Sequence, residues 1–151
     1  MDDARRIEVS RRIEAPAARV FALLADPGRH AEIDGSGTVR SAAAQGPVGA
    51  VGERFRMRMH REDRGGDYET DNVVTTYEPG RAIGWATTYP DQEPVGYTYT
   101  YLLSPDGDEH TVVTQVYDWS GVTDPDLLRL FPRVTAAELA ATLDRLADAV
   151  G

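Results

Sequence analysis

Apolar and polar positions alternate along several short segments in the middle of the chain, between residues 36 and 119. In ERFRMRMHR, the apolar positions are Phe55, Met57 and Met59, and arginines lie between them. Since alternate side chains of a strand point to opposite faces of a sheet, each such segment is expected to be a half-buried strand. Short turn sequences such as RGGD and EPGR separate the segments, which predicts an antiparallel meander of about six strands.

The segments before the meander change period. RIEVSRRI alternates and predicts a first strand, whereas Val20, Phe21 and Leu24 fall on one face of a helix. A second, very short helix is expected in DPGRHAEI, with Asp26 as its N-cap and Pro27 after it.

A long helix is expected at the C-terminal end. Thr135 and Glu138 stand three residues apart in TAAE, which matches a capping box. The apolar residues that follow recur at helical spacing and form one stripe: Leu139, Leu143, Leu146 and Val150. A twisted antiparallel sheet can curl around such a helix, so the predicted fold class is α+β, with about seven strands.

Three tyrosines recur at every second position of YTYTYLL. Tyr97, Tyr99 and Tyr101 therefore point to one face of their strand, and Thr98 and Thr100 point to the other. A buried phenol needs a hydrogen-bond partner, so a sealed core disfavours three of them. The pattern favours the wall of a partly wet, mostly apolar cavity.

Composition and charge narrow the function classes. The length of 151 residues predicts a single domain over residues 1–151. The absence of cysteine excludes thiolate metal sites, and the absence of lysine excludes Schiff-base chemistry. A formal net charge of −9 repels phosphate backbones, so no nucleic-acid partner is expected. MDDARR lacks the apolar region of a signal peptide, and no apolar run approaches the ~20 residues that span a bilayer, so we expect a cytoplasmic protein without a membrane partner.

Arginines cluster on one strand face. Arg54, Arg56 and Arg58 share a face with His60. They could form a small anion patch, although a solvated strand face balanced by nearby carboxylates is the favoured interpretation.

The order of these segments resembles a known superfamily. The segments that carry the resemblance are IEAPAARVFALLADPGRHAEI, VVTTYEPGRAIGW, YLLSPDGDEHTVV, YDWSG and FPRVTAAELAATLDRLA. Together they resemble the START-like, or SRPBCC, superfamily with its helix-grip fold, and most of all its polyketide cyclase/dehydrase-like branch. The superfamily includes lipid and hormone carriers, aromatase/cyclases and co-chaperone domains, so the resemblance is specific for fold and not for function.

The resemblance implies a cavity between the curved sheet and the last helix. The alternative is that the same residues fill a solid core, and a bulge in NVVTTY would exchange the faces of that strand. The residues expected to line the cavity are Phe55, Met57, Met59, Val74, Trp85, Thr87, Tyr89, Tyr97, Tyr99, Tyr101, Gln115, Tyr117, Trp119, Phe131, Leu139 and Leu143.

Catalytic candidates are few. The resemblance implies that the helix carrying His30 borders the mouth of the cavity. Tyr99 or Tyr101 could donate a proton as a general acid. Glu32 and Asp34, near the same mouth, are expected to be solvated. No histidine or carboxylate spacing indicates a metal site, and no cofactor is expected.

Three functions remain open from the sequence. The first is a binding protein for a small hydrophobic or aromatic molecule, as a monomer or homodimer. The second is an aromatase/cyclase-like enzyme acting on a polyketide-type substrate. The third is a co-chaperone-like interaction module, which would have a filled core and an exposed apolar patch.

Overall fold

The computed structural model describes residues 5–44 and 46–150. A seven-stranded antiparallel sheet dominates the fold, and the meander predicted from the alternating segments is confirmed. The strands are β1 (Arg6–Ile13), β2 (Val39–Ala42), β3 (Arg54–Arg61), β4 (Gly66–Glu78), β5 (Ala82–Thr88), β6 (Thr98–Pro105) and β7 (Thr111–Asp118). The order across the sheet is β1-β7-β6-β5-β4-β3-β2, so the first strand pairs with the last.

Two helical segments begin where their capping residues predict. Asp26 caps a short 3₁₀ turn, Pro27–Arg29, by accepting the Gly28 N–H at 3.0 Å. Thr135 and Glu138 form the predicted capping box, in which each side chain accepts the backbone N–H of the other residue. The α-helices are α1 (Ala17–Leu24), α2 (His30–Ile33), α3 (Pro125–Leu128) and α4 (Ala136–Val150). A second 3₁₀ turn, Glu62–Arg64, joins β3 to β4.

Helix α4 closes one side of the sheet. Its predicted stripe, Leu139, Leu143, Leu146 and Val150, is buried. The helix contacts β1, β7, α1 and α2. The main core lies under α1 and the C-terminal half of α4, whereas a second cluster around Tyr117 and Trp119 packs near the start of α4.

A bulge interrupts β4. The pairing with β5 slips between Val74 and Thr76, so one extra residue is inserted. Before the bulge, Thr70 and Asn72 face the inside of the sheet. After the bulge, Tyr77 does so and meets the ring of Phe21 edge-on at 5.3 Å. The exchange of faces that the segment NVVTTY left open therefore occurs. It affects only the residues of β4 that follow the bulge.

No helix in residues 5–44 and 46–150 combines the length and the apolar character that crossing a bilayer requires.

Candidate functional site

A cavity of about 160 Å³ lies between the concave face of the sheet and the helices α2 and α4. Strands β3 to β7 form its floor and walls. Helix α2 with the segment after it, and the start of α4 with the segment before it, form the opposite side. The inside of the fold is therefore not completely filled.

Ten of the sixteen residues expected at the cavity do line it. The alternation along β3 and β6 places Met57, Tyr99 and Tyr101 as predicted, because both strands run without a break in register. Tyr97 lies immediately before β6 and also lines the cavity. Their contribution to binding stays a prediction. The ten are Phe55, Met57, Met59, Trp85, Thr87, Tyr97, Tyr99, Tyr101, Gln115 and Leu139.

Three of the expected residues lie outside the cavity for local reasons. Val74 stands at the bulge and is buried in the main core. Leu143 lies one turn beyond Leu139 on α4 and packs into the same core. Tyr89 follows the last residue of β5, so strand alternation no longer applies to it, and it is 49% exposed.

The other three form an aromatic cluster beside the cavity. Tyr117 is fully buried, and its ring stacks on Tyr99 at 4.7 Å with an angle of 7° between the planes. Its hydroxyl accepts the Arg133 N–H at 2.9 Å. Trp119 packs against Tyr117, and Phe131 packs against Tyr97. Trp119 and Phe131 also pack against each other. Because these rings fill their own space, they support the cavity wall rather than face the cavity.

A polar pair lies deep in the cavity wall. Tyr101 and Gln115 face each other across β6 and β7, and the amide Nε2 of Gln115 donates to the Tyr101 hydroxyl at 3.0 Å. Burial raises the pKa of Tyr101 well above its ordinary value. Burial, followed by the neighbouring phenols of Tyr117 and Tyr97, likewise raises the pKa of Tyr99. Both phenols therefore stay protonated at neutral pH.

His30 lies at the cavity and is buried, not exposed at an open mouth. Its Nε2 lies 2.8 Å from the Leu24 carbonyl oxygen, and its ring stacks on Trp85 at 4.9 Å. The carbonyl can only accept, so Nε2 carries the proton. Burial lowers the pKa of His30, and the hydrogen bond to Leu24 and the charges of Asp26 and Asp34 offset this only in part.

The buried imidazole gives a testable pH dependence. The folded protein holds His30 neutral, whereas the unfolded chain takes up a proton below its ordinary pKa of 6.5. Stability is therefore expected to fall as pH decreases below 6.5, by up to about 1.4 kcal/mol per pH unit. His30→Gln keeps an N–H donor but cannot titrate, so its urea unfolding free energies should lack this part of the slope.

His60 offers a control of opposite sign. Hydrogen bonds to Asp67 and then Glu62 raise the pKa of His60. Its contribution is present below pH 6.5 and is lost as pH rises through the folded pKa, so His60→Gln should change the slope in the opposite sense. Parallel curves for wild type and His30→Gln would contradict the assignment of His30.

Sequence reasoning found Thr87 and Gln115 but missed other polar residues of the lining. Asp34 was expected to be solvated and is only partly exposed, and its carboxylate accepts the backbone N–H groups of Ser36, Thr38 and Val39. The segment DGSGT, an acidic residue before small polar ones, is the signal of such a turn. Glu32 does remain exposed, paired with Arg29 at 2.9 Å.

Asn72 is the buried amide on the opposite wall. Its Oδ1 accepts the Thr87 hydroxyl at 2.7 Å, and its Nδ2 donates to the Phe55 carbonyl at 3.4 Å. Asn72 lies two positions before Val74 and therefore on the same face of β4. Alternation alone would have predicted that it faces inward if polar residues had been considered as lining. These bonds use both ends of the amide and fix the wall between β3 and β5.

In residues 5–44 and 46–150, no group of three or more histidine, aspartate or glutamate side chains is close enough to hold a metal ion.

A curved antiparallel sheet that grips a C-terminal helix around a cavity defines a helix-grip domain of the SRPBCC type. The family described as polyketide cyclase/dehydrase and lipid transport matches residues 4–151, and the chain belongs to it. The resemblance found in the sequence is thereby confirmed.

Two kinds of relative resemble the chain. The uncharacterized protein Rv0088 of Mycobacterium tuberculosis is 33% identical over 97% of this chain, and the chain spans 65% of the length of that protein. Among solved structures, protein Ms6760 of Mycobacterium smegmatis is 17% identical with a TM-score of 0.69, covering 97% of this chain and 91% of that one. The Zhui aromatase/cyclase of a Streptomyces species is also 17% identical, with a TM-score of 0.67 and coverage of 97% and 93%. Identities this low show the fold alone.

Proposed function

We propose that the chain binds a small, mostly apolar aromatic molecule in the cavity between the sheet and α4. The observation that carries the proposal is an unfilled cavity of about 160 Å³ whose surface is mostly apolar, although polar side chains and the charged residues Asp34, Arg61 and Arg133 also line it. Binding sites for small molecules have this composition.

The size of the cavity limits the ligand. An apolar protein cavity of roughly 150 Å³ binds benzene, whereas sites for drug-sized molecules occupy ~300–1,000 Å³. Trp85 presents an aromatic wall, with Phe55 edge-on at 5.5 Å and Tyr101 tilted at 5.8 Å. The ligand that fits is therefore of one-ring size.

Acid–base catalysis has less support. A general acid or base works best with a pKa near the operating pH. Burial moves the pKa of Tyr99 and Tyr101 upward from 10.0 and that of His30 downward from 6.5, so the pKa of each of the three candidates moves away from neutral pH. The enzyme hypothesis retains the family membership as its support, and binding is the function that we put forward.

The test is a titration with one-ring aromatics. Toluene and p-cresol are added to ¹⁵N-labelled protein, and amide spectra are recorded together with the indole N–H signal of Trp85. We expect saturable shifts that concentrate at Trp85, His30 and Tyr101, because these residues surround the cavity.

A matched pair of variants locates the site. Val39 lines the cavity, whereas Val51 is 61% exposed and lies away from it. Val39→Phe adds ring volume where the ligand would lie and should weaken binding at least tenfold, while Val51→Phe should leave it unchanged. Absence of saturable shifts with every compound, or equal affinities for the two variants, would refute binding in this cavity.

A further inference from the structure

One polar atom in the cavity wall has no partner. Gln115 is 3% exposed, and its Oε1 makes no hydrogen bond within residues 5–44 and 46–150. Gln115 lines the cavity together with Tyr101, which is 4% exposed. Buried side-chain acceptors without a partner are rare, and each costs stability.

The Tyr101–Gln115 pair therefore has unused hydrogen-bonding capacity of both kinds. The Tyr101 oxygen accepts the Gln115 N–H, which leaves the hydrogen of the phenol able to donate. The Gln115 oxygen can accept. Reversing the amide would make Tyr101 donate to the oxygen and would move the unpaired function to the NH₂ group, so one unpaired polar function remains in either orientation.

We propose that the Tyr101–Gln115 pair is the subsite for a neutral hydroxyl group on the aromatic ligand. This inference rests on the proposed function and names the ligand class, a phenol. The ligand hydroxyl donates to Gln115 Oε1 and accepts from the Tyr101 hydroxyl, and a hydroxyl is a group that can do both.

The Tyr101–Gln115 pair itself favours a neutral group over an ionised one. Tyr101 and Gln115 are both neutral, and the Trp85 ring lies 5.8 Å from the Tyr101 ring. A buried anion requires a paired charge, which the pair does not supply, and the charge of Asp34, after burial, raises the pKa of Tyr101 and so disfavours a second negative charge beside it. Arg61 and Arg133 also line the cavity and are not part of the pair. A phenol places its ring against the aromatic wall and its hydroxyl on the pair.

The experiment compares p-cresol with toluene by calorimetry at pH 7, since the two differ only in the hydroxyl group. In the wild type, p-cresol is expected to bind more tightly than toluene. The double variant Tyr101→Phe/Gln115→Met keeps the shape of the pair and removes its polar groups. In that variant the preference for p-cresol should fall by about tenfold, equivalent to 1.4 kcal/mol.

A second readout comes from the wild type alone. The side-chain NH₂ signals of Gln115 should shift when p-cresol is added, and they should shift less when toluene is added. This measurement keeps the inference testable if the double variant does not fold. Tyr77→Phe makes the same phenol-to-phenyl change outside the cavity, where Tyr77 packs on Phe21, and should leave the preference as in the wild type.

The outcomes separate the two proposals. Binding of p-cresol and toluene with equal affinity in the wild type, or an unchanged preference in the double variant, overturns the hydroxyl subsite and leaves cavity binding intact. Failure of both compounds to bind overturns the proposed function and the subsite with it.

Discussion

Replacing Gly35 by alanine is expected to lower the free energy of unfolding by about 3 kcal/mol. A Cβ at this position would lie 2.7 Å from the backbone nitrogen of Thr142 and 2.8 Å from Cβ of Ala141, and closer still to the carbonyl oxygen of Glu138. These atoms belong to α4, whose backbone cannot yield without breaking the helix. The change would therefore push the segment after α2 away from α4.

Urea denaturation of Gly35→Ala and Gly49→Ala checks this expectation. Gly49 is exposed, and a Cβ there meets only the Glu53 carboxylate at the ordinary distance of 3.5 Å, so Gly49→Ala should lie within about 0.5 kcal/mol of wild type. Near-equal stabilities of the two variants would show that the segment after α2 does not need this close approach to α4.

The same contact bears on the site. The Gly35 N–H donates to Thr142 Oγ1 at 2.9 Å, and Thr142 in turn donates to the Glu138 carbonyl oxygen. These two hydrogen bonds hold Asp34 and its turn against α4, at the edge of the cavity. A loosened Gly35→Ala variant should consequently also bind one-ring aromatics more weakly.

Much of the fold could be predicted from the sequence because local signals and periodicity agree. Strict alternation along β3 and β6 determined which side chains face inward, and the capping box at Thr135 located the start of α4. These predictions depend on neighbours within one element, and no distant contact overrides them.

The cavity itself could be predicted only in part, since its limits depend on contacts between distant elements. Alternation cannot say that Tyr117 is covered by Tyr99, or that Val74 stands where β4 slips by one residue. Tyr89 was misplaced because β5 ends at Thr88. The close approach of Gly35 to α4 likewise joins residues about a hundred positions apart, so no local pattern reports it.

The sequence left two interpretations of the arginine face of β3: an anion patch, or a solvated face balanced by carboxylates. Arg54 and Arg56 both donate to the Asp71 carboxylate, at 3.1 Å and 2.7 Å, and Arg56 also contacts Asp91 at 3.0 Å. The favoured interpretation, a strand face balanced by carboxylates, agrees with these contacts. They also bind the loop between β5 and β6 to the sheet, since Asp71 accepts the Asp91 N–H and Arg54 donates to the Gln92 carbonyl.

Asp71 is therefore the residue of this face whose replacement should matter most. Its side chain is only 6% exposed, and the hydrogen bond from Arg56, followed by the Asp91 N–H and Arg54, holds its pKa well below the ordinary value of 3.8. Asp71→Asn keeps the shape but leaves two guanidinium groups without their shared anion. Because each arginine is about one third exposed, water offsets part of the loss, and we expect a decrease of about 2 kcal/mol at pH 7.

The pH dependence provides the second half of this prediction. A carboxylate whose folded pKa is lowered contributes fully above its unfolded pKa of 3.8 and loses that contribution as pH falls towards the folded value. The gap between wild type and Asp71→Asn should thus stay constant from pH 7 to about pH 5 and narrow below about pH 4. Glu69→Gln, the same exchange on the same face of β4 at an exposed position, should lie within about 0.5 kcal/mol of wild type throughout. A gap that persists unchanged into acid would mean that the packing of Asp71, and not its charge, connects the arginines to the loop.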